Sequence, residues 1–150
     1  MTFTIFVPGD SAAIAVGANE VASMIAAQAL QRDLKIQIIR NGTRGLLWLE
    51  PLVEVETPAG RIGFGRVDVA DVPTLFETDF YTGNCTHPTA VGLVEEIPFL
   101  KKQQRLTFAR TGITEPLSLH DYEVHGGYQG ALAVGGAAQQ SACPLPRRGS

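Results

Sequence analysis

The chain has 150 residues, 45% of them hydrophobic and 18% charged, with a formal net charge of −3. That length suits one domain with a real core, in which about two-thirds of the surface of the unfolded chain is buried. The charge balance excludes a general nucleic-acid binder, which shows a dominant basic face, and no apolar run approaches the roughly 20 residues of a membrane span, so no membrane insertion is expected.

Phe3, Ile5 and Val7 alternate with Thr4 and Phe6, the pattern of a strand over Phe3–Val7. Its start lacks the basic residues of a signal peptide and Pro8-Gly9 ends it at once, so the expected compartment is the cytoplasm. Asp10 or Ser11 then caps a helix over Ala12–Arg32, with Val21, Met24, Ile25 and Ala29 on one face and Gly17 as its weak point. Lys35–Ile39 alternates again, and strand–helix–strand with short joints makes a parallel βαβ unit. After the loop Arg40–Gly45, two strands over Leu52–Thr57 and Arg61–Val67 flank the turn Pro58-Ala59-Gly60 as a hairpin. Asp68 caps a short helix from about Ala70 to Thr78. A βαβ unit followed by a ββα unit is the minimal thioredoxin-like arrangement, so the expected fold class is α/β: a thioredoxin-like β-α-β/β-β-α domain over residues 1–80. Residues 81–96 are rich in Thr, Gly, Asn and Pro and read as a surface linker. Residues 97–130 form an irregular, partly helical C-terminal segment in which Ser118 caps a short helix. In 131–150 alanine, glycine, glutamine and proline dominate, and a disordered tail is expected there.

Thiol chemistry of the thioredoxin type needs a thiolate at the N-terminus of the first helix, and Pro8-Gly9-Asp10-Ser11 stands in that place. Cys85 and Cys143 are expected to be free thiols in a reducing compartment. Two distant cysteines do not supply the four ligands of an iron–sulfur cluster. Asn41-Gly42-Thr43 and Asn84-Cys85-Thr86 match the glycosylation pattern but read as turn chemistry. His120 and His125 are five apart, whereas two ligands on one helical face need a separation of four. Cys85 and His87 lie in one loop, while catalytic Cys and His usually meet in space. Gly60, Gly63 and Gly65 fall in the hairpin and not at a helix N-terminus, so they cradle no phosphate. No catalytic, cofactor-binding or metal-binding residue is therefore assigned. Two anionic docking places remain open: the Asn41–Gly45 loop, where Arg44 lies among free amides, and the basic strip 101–110, where Lys101, Lys102, Arg105 and Arg110 interleave with Phe108 next to Phe99. A plain turn and a solvated face are the ordinary readings of these two. Glu50-Pro51 stands where a cis proline is feasible, at about 0.5–1 kcal/mol.

Ile97–Arg110, Gly112–Pro116, Tyr122 and His125-Gly126-Gly127-Tyr128 together resemble the lead-in to the flavin-bearing, NADH-binding subunit of respiratory complex I. Arg40–Arg61 is similar to the N-terminal domain of the beta subunit of NAD-dependent, molybdenum-containing formate dehydrogenase. The resemblance covers about residues 1–130. It implies a thioredoxin-like domain, akin to the two-iron ferredoxin module, ahead of a flavin domain. The ferredoxin module holds its cluster with four cysteines, two after the first strand and two in the loop before the third. Residues 8–11 and 40–45 contain none. The family's FMN and NADH sites and its four-iron cluster follow the Gly-Gly-Tyr element, here Gly126-Gly127-Tyr128, after which 22 residues remain, so they are expected only in a complete subunit and the chain reads as truncated before the FMN domain. The expected role is an accessory, structural N-terminal domain, inactive alone, whose partners are the missing flavin domain or other formate dehydrogenase subunits. Arg44, Phe99, Lys102, Arg105 and Tyr128 are its candidate interface residues. The alternative is a stand-alone module that binds an anion or a protein through the Asn41–Gly45 loop or the strip 101–110.

Overall fold

The structure is a computed structural model and describes residues 2–132. Five strands form one sheet: β1 (Phe3–Phe6), β2 (Ile36–Ile39), β3 (Val53–Thr57), β4 (Gly60–Phe64) and β5 (Ala90–Leu93), in the order β2-β1-β3-β4-β5. β1 and β2 run parallel with Phe3 opposite Ile36 and Phe6 opposite Ile39, as a βαβ unit requires. β1 meets β3 in antiparallel register, Ile5 opposite Val55, and β3 and β4 form the expected hairpin. This adjacency of a βαβ unit and a ββα unit is the thioredoxin-like arrangement.

The helix expected over 12–32 is two helices, α1 (Ser11–Ala15) and α2 (Ala18–Gln31). Gly17 separates them at φ 97°, a left-handed conformation that costs a β-carbon-bearing residue about 1 kcal/mol or more. Asp10 accepts from the amides of Ala12 and Ala13, so the expected cap is present. Asp68 likewise caps a short 3-10 turn that runs into α3 (Val72–Glu77). β4 ends at Phe64, short of the expected Val67, because Arg66 adopts a positive φ of 55°.

Residues 81–96 do not form a linker. They include β5, which pairs with β4 through Ile62 opposite Leu93, and a 3-10 turn at Val94–Glu96. A second helical segment follows as α4 (Pro98–Lys101). Among the described residues, 2–115 make one compact unit and 116–132 belong to another. Within the second, α5 (Leu119–Val124) begins at Ser118, whose hydroxyl accepts from the Asp121 amide, and Tyr122 meets Tyr128 edge to face at 5.0 Å. All but two residues of the expected tail, 133–150, lie outside the described residues.

Side chains alternate across a strand, and the two faces of the sheet differ sharply. Ile5, Val7, Val53, Val55 and Phe64 point into a main core with Ala18, Val21 and Ile25 of α2, Leu75 and Phe76 of α3, and Phe80. Phe80 is edge-on to Phe64 and Phe76 at 5.6 and 5.1 Å. On the opposite face Leu52, Leu46, Val94 and Leu100 form a second, smaller cluster. The alternation also sends Phe6, Glu54 and Arg61 to that second face, beneath the segment that follows β5.

Candidate functional site

The loops after β1 and β2 and the turn before β3 converge at one end of the sheet. The Gly9 amide donates to the Asn41 carbonyl at 2.8 Å. Arg40 ties the same loops together, donating from Nε to the Val7 carbonyl and from Nη2 to the Pro8 carbonyl and to Asn19 Oδ1. The Glu50-Pro51 bond is cis. Glu50, 8% exposed, accepts from the Thr43 hydroxyl at 2.7 Å and from the Leu52 amide at 3.0 Å. Burial raises its pKa above the ordinary carboxylate value. The two hydrogen bonds work against this shift, and the charges of Asp10 and Glu54 add to it. Asn41 donates to the Gly112 carbonyl, while its own Oδ1, like Asp10 Oδ2, is buried without a partner among the described residues.

An iron–sulfur cluster does not fit here. The groups present are a carboxylate, an amide, a hydroxyl and a buried carboxyl (Asp10, Asn41, Thr43 and Glu50), hard oxygen and nitrogen donors where soft thiolates are required.

Arg44, next along the loop, is 5% exposed and turned onto the covered face of the sheet. Its Nε and Nη2 donate in parallel to the two carboxylate oxygens of Glu54, both at 2.8 Å, and its Nη1 meets Glu95 at 2.6 Å. Glu54 is only 1% exposed, so this is a fork-to-fork pair taken out of water. Burial works to lower the Arg44 pKa, but Glu54 and Glu95 outweigh it and the net shift is upward. Arg61 completes the group, 3.4 Å from Glu54 Oε2 and with its guanidinium carbon 3.4 Å above the centre of the Phe6 ring, a cation–π arrangement. Burial, helped by the charge of Arg44, lowers the Arg61 pKa despite Glu54.

The segment after α4 is fastened to this cluster. Arg61 donates to the carbonyls of Gly112 and Ile113, both at 3.1 Å, and Arg105 Nη2 donates to the Arg44 carbonyl at 2.8 Å. Gly112 lies at φ 78°, and a β-carbon there would sit 2.4 Å from Arg44 Cγ. Only a glycine lets the main chain approach the guanidinium stem so closely.

Arg44 and Arg105 are neighbours within the first unit. Phe99 is edge-on to Trp48 at 5.1 Å, both half exposed, beside the Lys101–Glu96 ion pair. Lys102 is exposed. Tyr128 belongs to the second unit. Glu54, Arg61, Glu95 and Gly112 were not among the candidates. The one signal for Glu54 was an acid on a strand between two others, which must find a cation once both sheet faces are covered. The cover itself, residues 94–113, was not visible as such.

No protein-family model matches the chain, and no curated protein matches it. Among solved structures, the thioredoxin-like [2Fe-2S] ferredoxin of Aquifex aeolicus superposes with a TM-score of 0.49 at 20% identity, over 61% of this chain and 97% of the ferredoxin chain. A cysteine-to-serine variant of that ferredoxin gives 0.48 at 21% identity, over 60% of this chain and 98% of its own.

Proposed function

We propose that this chain is the N-terminal accessory domain of the beta subunit of an NAD-dependent formate dehydrogenase, acting by packing and not by chemistry. On this reading the whole enzyme oxidises formate in the cytoplasm and passes electrons through iron–sulfur clusters and FMN to NAD. FMN, NAD and the four-iron cluster are held elsewhere in the enzyme, and this domain holds no cofactor. Its partners are the flavin domain and neighbouring subunits of the complex.

One observation carries the proposal beyond the sequence resemblance. The 40–45 loop, which the resemblance matches to a cysteine-bearing loop of the ferredoxin module, here helps fasten the chain's own lead-in segment: Asn41, with Arg61 of β4, grips the main chain at Gly112 and Ile113, and Arg105 grips the carbonyl of Arg44. A thioredoxin-like scaffold used in this way fixes the direction in which the chain leaves for a following domain.

The test is co-expression of the chain with a formate dehydrogenase beta subunit cut back to its flavin domain and with the neighbouring iron–sulfur subunit, with iron and flavin supplied. Alone, the chain is expected to absorb only in its Trp and Tyr bands; when co-expressed, it is expected to co-purify stoichiometrically with the flavin domain. A flavin or iron–sulfur spectrum on the isolated chain would overturn the cofactor-free reading. Failure to associate would overturn the accessory role.

A further inference from the structure

The two cationic features of the sequence, the 40–45 loop and the 101–110 strip, meet at one cavity of about 180 Å³ in the first unit, lined in part by Arg44, Glu95, Gln103, Arg105 and Thr111. Its lining carries two guanidiniums, Arg44 and Arg105, against one carboxylate, Glu95. Arg44 and Arg61 share one buried carboxylate, Glu54. Arg105 adds a third guanidinium, whose hydrogen bonds go to two neutral acceptors, Gln103 Oε1 at 2.7 Å and the Arg44 carbonyl at 2.8 Å. Glu54 lies behind Arg44, the charge of Glu56 acts on Arg61, and Glu95, 68% exposed, meets Arg44 through Nη1. Gln103 and Thr111 add an amide and a hydroxyl to the lining, both able to donate.

We propose that this cavity binds a small oxyanion, a carboxylate or a phosphate, held by Arg105 together with Nη1 of Arg44. The volume admits a ligand of a few heavy atoms, and guanidinium groups match such oxygens with paired N–H donors. Binding exchanges Glu95 for the ligand on Arg44. The Glu95 end of this part-buried pair is solvent-exposed, so its carboxylate is rehydrated when it swings away, and the ligand's oxygens take its place on the buried Arg44. Glu95 thereby competes with the ligand, and its removal strengthens binding. The site does not depend on the accessory role proposed above.

Thermal unfolding of the full chain, followed at constant pH and ionic strength, tests this. Sodium chloride is replaced stepwise by sodium acetate in one series and by sodium phosphate in another. A ligand of the folded state raises Tm in a saturable way, and the responding series identifies the oxyanion. Glu95→Gln is expected to tighten the apparent Kd severalfold. Arg105→Gln is expected to weaken it at least about tenfold, the loss of one charge-assisted hydrogen bond, and Arg105→Lys to restore part of the response. No saturable rise over chloride in either series overturns the proposal, as does an unchanged response in Arg105→Gln. Should Arg105→Gln not fold, Glu95→Gln decides, since an unaltered or weakened Kd in that variant excludes the exchange.

Discussion

Glu54 accepts from two arginines while almost wholly removed from water, and nothing in its immediate sequence, Val53-Glu54-Val55-Glu56, sets it apart from Glu56. The difference lies in what covers each residue. A buried carboxylate is tolerated only when paired and hydrogen-bonded, and removal of one partner leaves an uncompensated charge. Glu54→Gln is therefore expected to destabilise the chain by about 3–5 kcal/mol, read as a lowered urea midpoint, whereas Glu56→Gln changes it little. Glu50 has the opposite character. Its pKa is raised on folding, so the folded state keeps a proton that the unfolded state has lost. The resulting penalty is present at neutral pH, shrinks as pH falls through the raised pKa, and is gone below the ordinary value of 4.5. Glu50→Gln is expected to raise the unfolding free energy at pH 7, with the gain vanishing towards pH 4.5. Paired denaturation curves at the two pH values check this, and a gain that grows on acidification would refute it. Gly112→Ala places a β-carbon on Arg44 in a left-handed backbone conformation, at an expected cost of about 1–3 kcal/mol in the same assay.

At the scale of elements, the parallel pair and the hairpin were legible because each announces itself locally: alternating apolar residues, a capping aspartate, a Pro-Ala-Gly turn. The break at Gly17 was visible as a weak point but not as a break, because helix propensity tolerates one glycine and the positive φ is set by how α1 and α2 pack. β5 escaped notice for another reason. Ala90-Val91-Gly92-Leu93 is four residues long, contains a glycine, and follows a stretch rich in Asn, Thr and Pro, so its pairing with β4 is a tertiary event without a local signature. The caps behaved better. Ser118 and Asp68 were identified from residue type and position alone, since capping is a local hydrogen bond.

For the whole molecule, the thioredoxin-like plan followed from element order, but the extent of the folded unit did not. An expected domain ending at residue 80 lacks β5 and the Val94–Leu100 cover that buries Leu46 and Leu52. The compact unit runs to Glu115. A chain ending after Glu115 is expected to unfold cooperatively with a urea midpoint close to that of the full chain. One ending at residue 80 is expected to lose cooperativity, because it leaves Arg44 without Glu95 and the second apolar cluster open to water. Circular dichroism of the two fragments separates these outcomes, and a cooperative 1–80 fragment would place the boundary at residue 80. The candidate site was hidden for a related reason. Arg44, Glu54, Glu95, Arg105 and Gly112 are distributed over nearly seventy positions, about half the chain, and only the second sheet face brings them together.

The edge-to-face contact between Trp48 and Phe99 has an optical consequence. Trp48 is the only tryptophan, it is half exposed, and its ring neighbour lies on α4, at the start of the covering segment. Its emission therefore responds to whether that segment is seated, independently of whether the main core is intact. Lifting of α4 shifts the fluorescence maximum to the red before the far-ultraviolet signal of α2 is lost, giving the chain an intrinsic reporter of lead-in docking that needs no added dye.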